Sequence, residues 1–191
     1  MRFMTERIAR DGRALDEQVL LVDSFLNHQI DMELMKQCGS AFAQHFKGKG
    51  ITRVMTVESS GIAPAAMTAL EMGLPLVVFK KKTSRITNGT VYQTVVQSFT
   101  KNVRYELTVA KRFLPEGEKI LFIDDFLAMG EAAIGAGRII REAGSEIAGI
   151  GIVIEKTFQP GRKRLEAEGY DVFSLARVQS MSADGIAFVE P

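Results

Sequence analysis

The apolar positions along the chain follow two different periods. Residues 31–46 carry Met, Cys and Phe side chains at spacings near three and four, which predicts an amphipathic helix. Asp31 is a suitable N-cap for this helix, and Gly48 is a suitable stop. Buried strands are predicted at five short and largely apolar runs, at residues 51–57, 74–79, 119–123, 149–154 and 170–175.

Helical patterns separate these runs at residues 65–70, 131–143 and 163–168, and Gly144 closes the second of them. Strands that alternate with helices predict an α/β fold with a mostly parallel sheet covered on both faces. Because the chain shows no internal repeat or linker, residues 1–191 are predicted to form a single domain. Ligands of such folds bind beyond the carboxyl ends of the strands, where the loop after Val57 and the loop after Ile123 stand out.

The composition is that of an ordinary globular protein, with 46% hydrophobic and 25% charged residues. The formal net charge of 24 − 23 = +1 argues against a general nucleic-acid or membrane-surface binder, which needs a broad field of one sign. No apolar run approaches the ~18 residues of a membrane span, and the N-terminus does not resemble a signal peptide. The single Cys38 fits a reducing compartment, so a cytoplasmic location is expected.

Charge is distributed unevenly along the chain. Residues 80–112 contain eight basic residues and one acidic residue, Glu106, which is a local balance of 8 − 1 = +7. Such a run is either a solvated face or a site for a small, highly charged anion. The Thr, Val and aromatic residues of 90–99 predict a long projecting β-ribbon, with Asn88-Gly89 as its hairpin turn.

The loop after Ile123 combines several groups that carry chemistry. Two carboxylates, Asp124 and Asp125, follow the central strand, and a loop of small residues leads into a helix. Backbone N–H groups around Gly130 can converge on a phosphate at the helix N-terminus. The carboxylates can accept hydrogen bonds from sugar hydroxyls or hold a metal through water, although they can also merely end a strand and help to cap a helix. The loop lacks Gly-Lys-Ser/Thr, which excludes a nucleoside-triphosphate P-loop.

Residues 124–132, DDFLAMGEA, resemble the phosphoribosyl pyrophosphate (PRPP) loop of type I phosphoribosyltransferases. Four further segments resemble, in the same order, the bacterial members of this family that act on xanthine: residues 22–31, 58–64, 98–101 and 149–156. The resemblance implies the type I phosphoribosyltransferase fold, a mostly parallel central sheet flanked by helices. A small N-terminal hood, mainly residues 1–35, and a projecting flexible β-ribbon loop at about residues 80–105 complete the implied fold.

The implied activity is a step of purine salvage, in which xanthine and PRPP give xanthosine 5′-monophosphate (XMP) and pyrophosphate. Two alternatives remain open at this point. In the first, the substrate is another purine base: guanine, hypoxanthine or adenine. In the second, the chain is a non-catalytic regulator that senses PRPP. A regulator would normally carry an additional DNA-binding domain, for which 191 residues leave little room.

The resemblance also assigns roles in binding PRPP. Asp124 and Asp125 would hold the ribose hydroxyls, and Mg²⁺ would bind through the pyrophosphate and ribose oxygens with no direct protein ligand. Lys81 would reach the pyrophosphate of a neighbouring subunit, which implies a homodimer. The 5′-phosphate would lie in a cradle formed by the backbone of Ala128, Met129, Gly130, Glu131 and Ala132, and the pyrophosphate would lie against Ser59, Ser60 and Gly61.

Four residues are assigned to the purine by the same resemblance. Phe126 would pack against the purine ring, and Lys156, which lies 156 − 125 = 31 residues after Asp125, would recognise the exocyclic 6-oxygen. Leu20 and Asn27 of the hood would contact xanthine. On the residues alone, Lys156 is also compatible, as the weaker alternative, with a solvated strand end, and Asn27 is equally compatible with a turn or cap. Ala128 stands where many relatives carry an Asp that acts as a base, so the general base remains open.

Overall fold

The computed structural model describes residues 1–81, 89–98 and 103–189. Within these residues the helices α1 to α5 span Arg2–Asp11, Met32–His45, Ile62–Met72, Glu131–Glu142 and Gly161–Ala167. The strands β1 to β10 span Arg13–Ala14, Leu20–Leu21, Arg53–Val57, Leu76–Phe79, Val91–Ser98, Val103–Ala110, Lys119–Leu127, Glu146–Lys156, Val172–Ser182 and Gly185–Phe188. A π-helical turn occupies Asp23–Asn27, and a 3-10 turn occupies Lys111–Phe113.

A six-stranded sheet forms the centre of the fold, in the order β10-β9-β8-β7-β3-β4. All neighbouring strands in this sheet are parallel except β9 and β10, so the predicted mostly parallel sheet is confirmed. Thr56 of β3 pairs with Ile123 of β7, and Ile123 pairs with Gly151 of β8. The loops that follow β3, β7 and β8 therefore leave the sheet side by side at one edge.

Strand β7 is longer than the sequence pattern indicates. A loop was expected from Asp124 to Gly130, but the strand continues to Leu127 and contains both Asp residues. Asp124 pairs with Ile152 and Phe126 with Ile154 of β8, because the ladder between these strands continues past the apolar segment. The loop between β7 and α4 is therefore only residues 128–130.

The predicted β-ribbon is present as the antiparallel pair β5–β6, but its turn lies elsewhere. Val91 pairs with Ala110 and Ser98 with Val103, so the connection falls within residues 99–102. The predicted turn at Asn88-Gly89 was wrong, because these residues precede β5, whereas β5 pairs with β6, the strand that follows it. Gly89, with φ of 71°, precedes the ribbon. Residues 82–88 and 99–102, which include Asn88, Lys82, Arg85 and Lys101, lie outside the described part of the chain.

Two contacts fix the described part of the ribbon to the rest of the protein. Lys80 and Thr108 exchange a pair of backbone N–H···O bonds, each of 2.9 Å. Val96 packs over α4 at Gly135, where an added Cβ atom would lie 2.5 Å from Val96 Cγ2. The ribbon therefore rests directly on the helix that begins at the 128–130 loop.

The central sheet buries apolar side chains on both faces. One cluster joins the N-terminal segment to α2 and α3, and includes Met4, Ile8 and Phe25. The other joins α4 and the ribbon to the opposite face of the sheet. Helix α2 begins as predicted, because the Asp31 side chain accepts the N–H of Leu34 at 3.0 Å. None of the described helices has both the length and the apolar character needed to cross a bilayer.

Candidate active site

The loop after β3 lies directly against the Asp pair of β7. Gly61 follows Ser59 and Ser60, and a Cβ atom built on Gly61 would lie 3.2 Å from Asp124 Oδ1 and 2.3 Å from Thr56 Oγ1. Only glycine permits this close approach of the loop backbone to the strand. The structure therefore brings the predicted pyrophosphate loop, residues 59–61, and the predicted ribose carboxylates together.

Asp124 is a buried carboxylate with only 9% of its surface exposed. Its Oδ1 accepts the N–H of Asp125 at 3.0 Å, and Asp125 Oδ1 accepts the N–H of Phe126 at 2.9 Å. Burial raises the pKa of Asp124 well above its usual value, and the adjacent charge of Asp125 raises it further. The two adjacent carboxyl groups thus form a site rich in hydrogen-bond acceptors, and hydroxyl donors or a cation would stabilise their negative charge.

The cradle at residues 128–132 presents backbone donors at a helix N-terminus. Gly130 has a left-handed φ of 78°, which favours glycine and turns the chain into α4. No side chain caps this helix, and the Ile134 N–H donates to the Gly130 carbonyl at 3.0 Å. Since the first amides of a helix lack acceptors within it, the N–H groups at Glu131 and Ala132 are suited to an anion.

Helix α5 supports this loop from behind. The Gly161 N–H donates to the Ala128 carbonyl at 2.9 Å, and the Arg164 guanidinium donates to the Met129 carbonyl at 2.6 Å. Arg164 also forms an ion pair of 2.6 Å with Glu131. These contacts fix the loop carbonyls on the side of α5. Sequence reasoning missed both α5 residues, since they are distant from the loop in sequence and form no motif with it.

Lys156 and Phe126 form a second part of the site at the ends of β8 and β7. Lys156 Nζ lies 5.3 Å from the centre of the Phe126 ring and donates to the Gln18 carbonyl at 2.5 Å. Burial lowers the pKa of Lys156, while the charges of Asp16 and Asp125 act in the opposite direction. The ammonium group is therefore held beside an aromatic face, where the charges of Asp16 and Asp125 act on it.

Lys156 and the first residues of the cradle line one cavity of about 930 Å³, which is within the size range of ligand sites, whereas Phe126, the Asp pair and residues 59–61 are not part of its lining. Among the described residues, it is lined by Lys156, by Ala128 and Met129 of the cradle, by Gln159, by residues 182–184 and by the N-terminal segment 15–19. That segment lies within the predicted hood, but the sequence assigned no role to any residue of it. Its one signal in the sequence is Asp16, whose carboxylate accepts the N–H groups of Gln18 and Val19 at 2.7 Å each and so forms a turn.

Leu20 and Asn27 do not line this cavity in the described residues. Leu20 is 6% exposed and belongs to the apolar cluster under the sheet. Asn27 is exposed at the end of the π-helical turn. Neither side chain is therefore among those that line the cavity with Lys156, and the contacts of Leu20 and Asn27 with the purine remain predictions.

Lys81 is hydrogen-bonded to Glu58, the residue directly before the predicted pyrophosphate loop. Its N–H donates to Glu58 Oε1 at 2.7 Å, and its ammonium lies 5.7 Å from the centre of the Tyr105 ring. Burial raises the pKa of Glu58, but the Lys81 N–H and the ion pair with Lys80 outweigh it, so the pKa is lowered. Glu58 therefore stays ionised and anchors the first two residues of the basic segment next to residues 59–61.

The mostly parallel sheet, the Asp pair near the end of its strand β7 and the helix α4, which no side chain caps, are the features of a type I phosphoribosyltransferase. Residues 22–187 match the model of the family described as "Phosphoribosyl transferase domain", and the chain belongs to this family.

Full-length relatives carry more specific names. The chain is 57% identical over 190 residues to "Xanthine phosphoribosyltransferase 1" of Clostridium botulinum strain Hall, covering 100% of both chains. It is 53% identical over 189 residues to "Xanthine phosphoribosyltransferase" of Clostridium acetobutylicum, covering 99% of this chain and 100% of the relative.

Solved structures share the fold at lower identity. Adenine phosphoribosyltransferase from Rhodothermus marinus aligns with a TM-score of 0.75 at 23% identity, over 93% of this chain and 100% of that chain. The enzyme from Giardia lamblia aligns with a TM-score of 0.77 at 20% identity, over 91% and 97% of the two chains.

Proposed function

We propose that this enzyme transfers the 5-phosphoribosyl group from PRPP to xanthine and releases XMP and pyrophosphate. The observation that carries the proposal is one cavity lined both by the anion cradle, at Ala128 and Met129, and by the Lys156 ammonium. The full-length relatives named xanthine phosphoribosyltransferase support the same substrate.

The donor fits the charge distribution of the site. The 5′-phosphate takes the backbone donors of residues 128–132, and the ribose hydroxyls donate to Asp124 and Asp125. The pyrophosphate lies against residues 59–61, where Gly61 allows the backbone to approach closely. Lys81 at the start of the basic segment supplies positive charge to the pyrophosphate of a neighbouring subunit, in a homodimer.

Cleavage of the bond to pyrophosphate builds positive charge on the sugar and negative charge on the leaving group. The carboxylates of Asp124 and Asp125 stabilise the positive sugar, since both lie in the last part of β7, directly before the 128–130 loop. Amides of residues 59–61 and the Lys81 ammonium act on the leaving group. Charges fixed in place before the reaction need no rearrangement during it, which is the main source of electrostatic catalysis.

The donor set near the ribose fits Mg²⁺. No group of three or more His, Cys, Asp or Glu side chains that could hold a metal occurs within the described ranges. Mg²⁺ prefers substrate oxygens and retained waters, so it would bind through the pyrophosphate and ribose oxygens, and Asp124 and Asp125 would act on it only through the ribose hydroxyls or water. When bound with PRPP, Mg²⁺ neutralises part of the pyrophosphate charge.

Xanthine is recognised by an ammonium donor and an aromatic face. Lys156 donates to the Gln18 carbonyl at 2.5 Å, and the exocyclic 6-oxygen of the purine replaces this acceptor. Phe126 packs on the ring. A 6-amino group cannot accept this hydrogen bond, which disfavours adenine. The remaining purine contacts, Leu20 and Asn27, require the hood of about residues 1–35 to close further over the base. The reaction belongs to purine salvage in the cytoplasm.

The proposal is tested by supplying the purified protein with PRPP, Mg²⁺ and one of xanthine, guanine, hypoxanthine or adenine, and by following nucleotide formation. We expect XMP to form with the highest kcat/KM. Equal turnover of guanine would reject xanthine specificity. No turnover with any base would reject catalysis and favour a PRPP-sensing regulator.

Lys156→Ala tests the recognition of the base. Loss of a charge-assisted hydrogen bond is worth about 1.5–3 kcal/mol, so kcat/KM for xanthine should fall by about 10- to 150-fold. Lys36→Ala, which removes an exposed lysine on α2, is the control and should leave the value unchanged. Unchanged kinetics for Lys156→Ala would remove this residue from the site.

A further inference from the structure

Glu131 is an unexpected residue for a phosphate cradle. It is the first residue of α4, and its carboxylate is one of three causes that raise the pKa of Tyr105 to about 12, after burial and the charge of Asp124. The carboxylates of Glu131 and Asp124 thus act on the same residue, Tyr105. An uncompensated carboxylate next to a phosphate dianion would weaken binding through like-charge repulsion.

Arg164 holds this carboxylate. Its Nη1 lies 2.6 Å from Glu131 Oε1 and 2.6 Å from the Met129 carbonyl oxygen. The Arg164 side chain is 36% exposed and that of Glu131 is 20% exposed, so the pair is partly shielded from water. A single guanidinium therefore binds two acceptors of the cradle, the Glu131 carboxylate and the Met129 carbonyl.

Backbone hydrogen bonds hold the first turn of α5, which carries Arg164, against the loop. The Arg164 N–H donates to the Pro160 carbonyl at 3.0 Å within α5, and the Gly161 N–H donates to Ala128 at 2.9 Å. Helix α5 is thus tied to the loop by one backbone bond and by one side chain. The backbone bond holds the loop in position, and the Arg164 side chain neutralises the Glu131 carboxylate at the end of the loop.

We infer that Arg164 is a positioning residue for the donor phosphate. It cancels the charge of Glu131 and turns the Met129 carbonyl away from the cradle, so that N–H groups face the phosphate. Arg164 itself does not touch the substrate. The inference rests on the proposed function, which places the 5′-phosphate at residues 128–132.

The test compares steady-state kinetics of the full chain with four variants. Arg164→Met removes the charge and both bonds, and Arg164→Lys keeps the charge. Glu131→Gln/Arg164→Met removes both charges together. Lys163→Met removes an exposed positive charge from the same helix and is the matched control. KM for PRPP and KM for xanthine are measured separately, and thermal unfolding confirms that each variant is folded.

We expect Arg164→Met to raise KM for PRPP by about 10- to 100-fold, with little change in KM for xanthine. Arg164→Lys should show a smaller increase, and Lys163→Met none. The double variant should have a KM for PRPP at least about fivefold below that of Arg164→Met, because the unpaired charge is gone. The remaining increase reflects the lost bond to the Met129 carbonyl.

The inference is overturned if Arg164→Met leaves KM for PRPP unchanged in an active enzyme. It is also overturned if the double variant is as impaired as Arg164→Met, since Arg164 would then act through structure alone. Failure of the proposed function gives a different result, because the unaltered protein itself would then form no nucleotide.

Discussion

Replacement of Gly161 with alanine should displace the phosphate cradle while α5 remains helical. The added Cβ would lie 2.3 Å from the Ala128 carbonyl oxygen and 2.7 Å from Leu127 Cδ1. Side-chain Cβ atoms do not approach other atoms within 3.0 Å, so the loop must retreat by at least 3.0 − 2.3 = 0.7 Å. A displacement on the order of 1 Å at a binding loop can cost about 100-fold in rate.

The effect on stability should be smaller than the effect on activity. Overpacking costs about 1–3 kcal/mol, but alanine stabilises a helix by about 0.5–1 kcal/mol relative to glycine. For a chain of this length each kcal/mol corresponds to about 2–4 °C in Tm, so Tm should fall by less than about 10 °C. We therefore expect kcat/KM for PRPP to decrease by about 10- to 100-fold in a folded Gly161→Ala protein.

The assay combines thermal unfolding by circular dichroism with nucleotide formation at varied PRPP. Ala167→Gly is the control, because it removes a methyl group at the last residue of the same helix, where the side chain is exposed. It should lower Tm slightly and leave kcat/KM unchanged. Wild-type kcat/KM in Gly161→Ala, or an equal loss in Ala167→Gly, would refute the argument.

Three further predictions concern buried groups. Burial raises the pKa of Cys38 to about 12, so the thiol should react with an aromatic disulfide reagent at neutral pH only as fast as the protein unfolds; rapid labelling would contradict its burial. Burial and the charge of Asp125 raise the pKa of Asp124, so ionisation costs stability above that pKa. Asp124→Asn should increase Tm at neutral pH, and the gain should shrink as pH falls toward the usual carboxyl value of 3.8. Arg162→Met removes the shorter of the two ion pairs of the 1% exposed Glu155 and leaves only the 3.5 Å contact with Arg177, so the free energy of unfolding should fall by up to about 3–5 kcal/mol in urea titrations. Burial raises the pKa of Glu155, but hydrogen bonds from Arg162 and Ser174 lower it by more. The stabilisation by the Glu155–Arg162 pair is therefore present above the usual pKa of 4.5 and is lost as pH falls. If Arg162→Met reduced stability equally at every pH, the ion-pair account would be contradicted.

The sequence predicts the strands and helices that bury a regular apolar face. Periodic apolar residues identified α2 and its Asp31 cap, and the short apolar runs identified β3, β4, β7, β8 and β9. Helix α1 was missed because its surface is mostly charged, although Met4 and Ile8 lie four residues apart and are both buried. The short edge strand β10 gave no signal, since only pairing with β9 defines it.

Parts of the site depend on contacts between distant segments and leave little trace in the sequence. The Asp pair was placed in a loop because carboxylates interrupt the apolar run, whereas pairing with β8 keeps them in the strand. Lys156 and the Gln18 carbonyl are separated by 138 residues. The support of the cradle by α5 likewise arises only when α5 packs behind the loop. Resemblance to a family supplied the roles of the site residues, but not these tertiary contacts.

The close packing of the ribbon on α4 has a consequence for how related sequences vary. At Gly135 there is no space for a side chain, because Val96 Cγ2 would lie 2.5 Å from an added Cβ atom. A larger residue at position 135 is compatible with the fold only when position 96 becomes smaller. These two positions, 135 − 96 = 39 residues apart, should therefore covary among homologues, and their covariation would record the ribbon–helix contact in sequence alone.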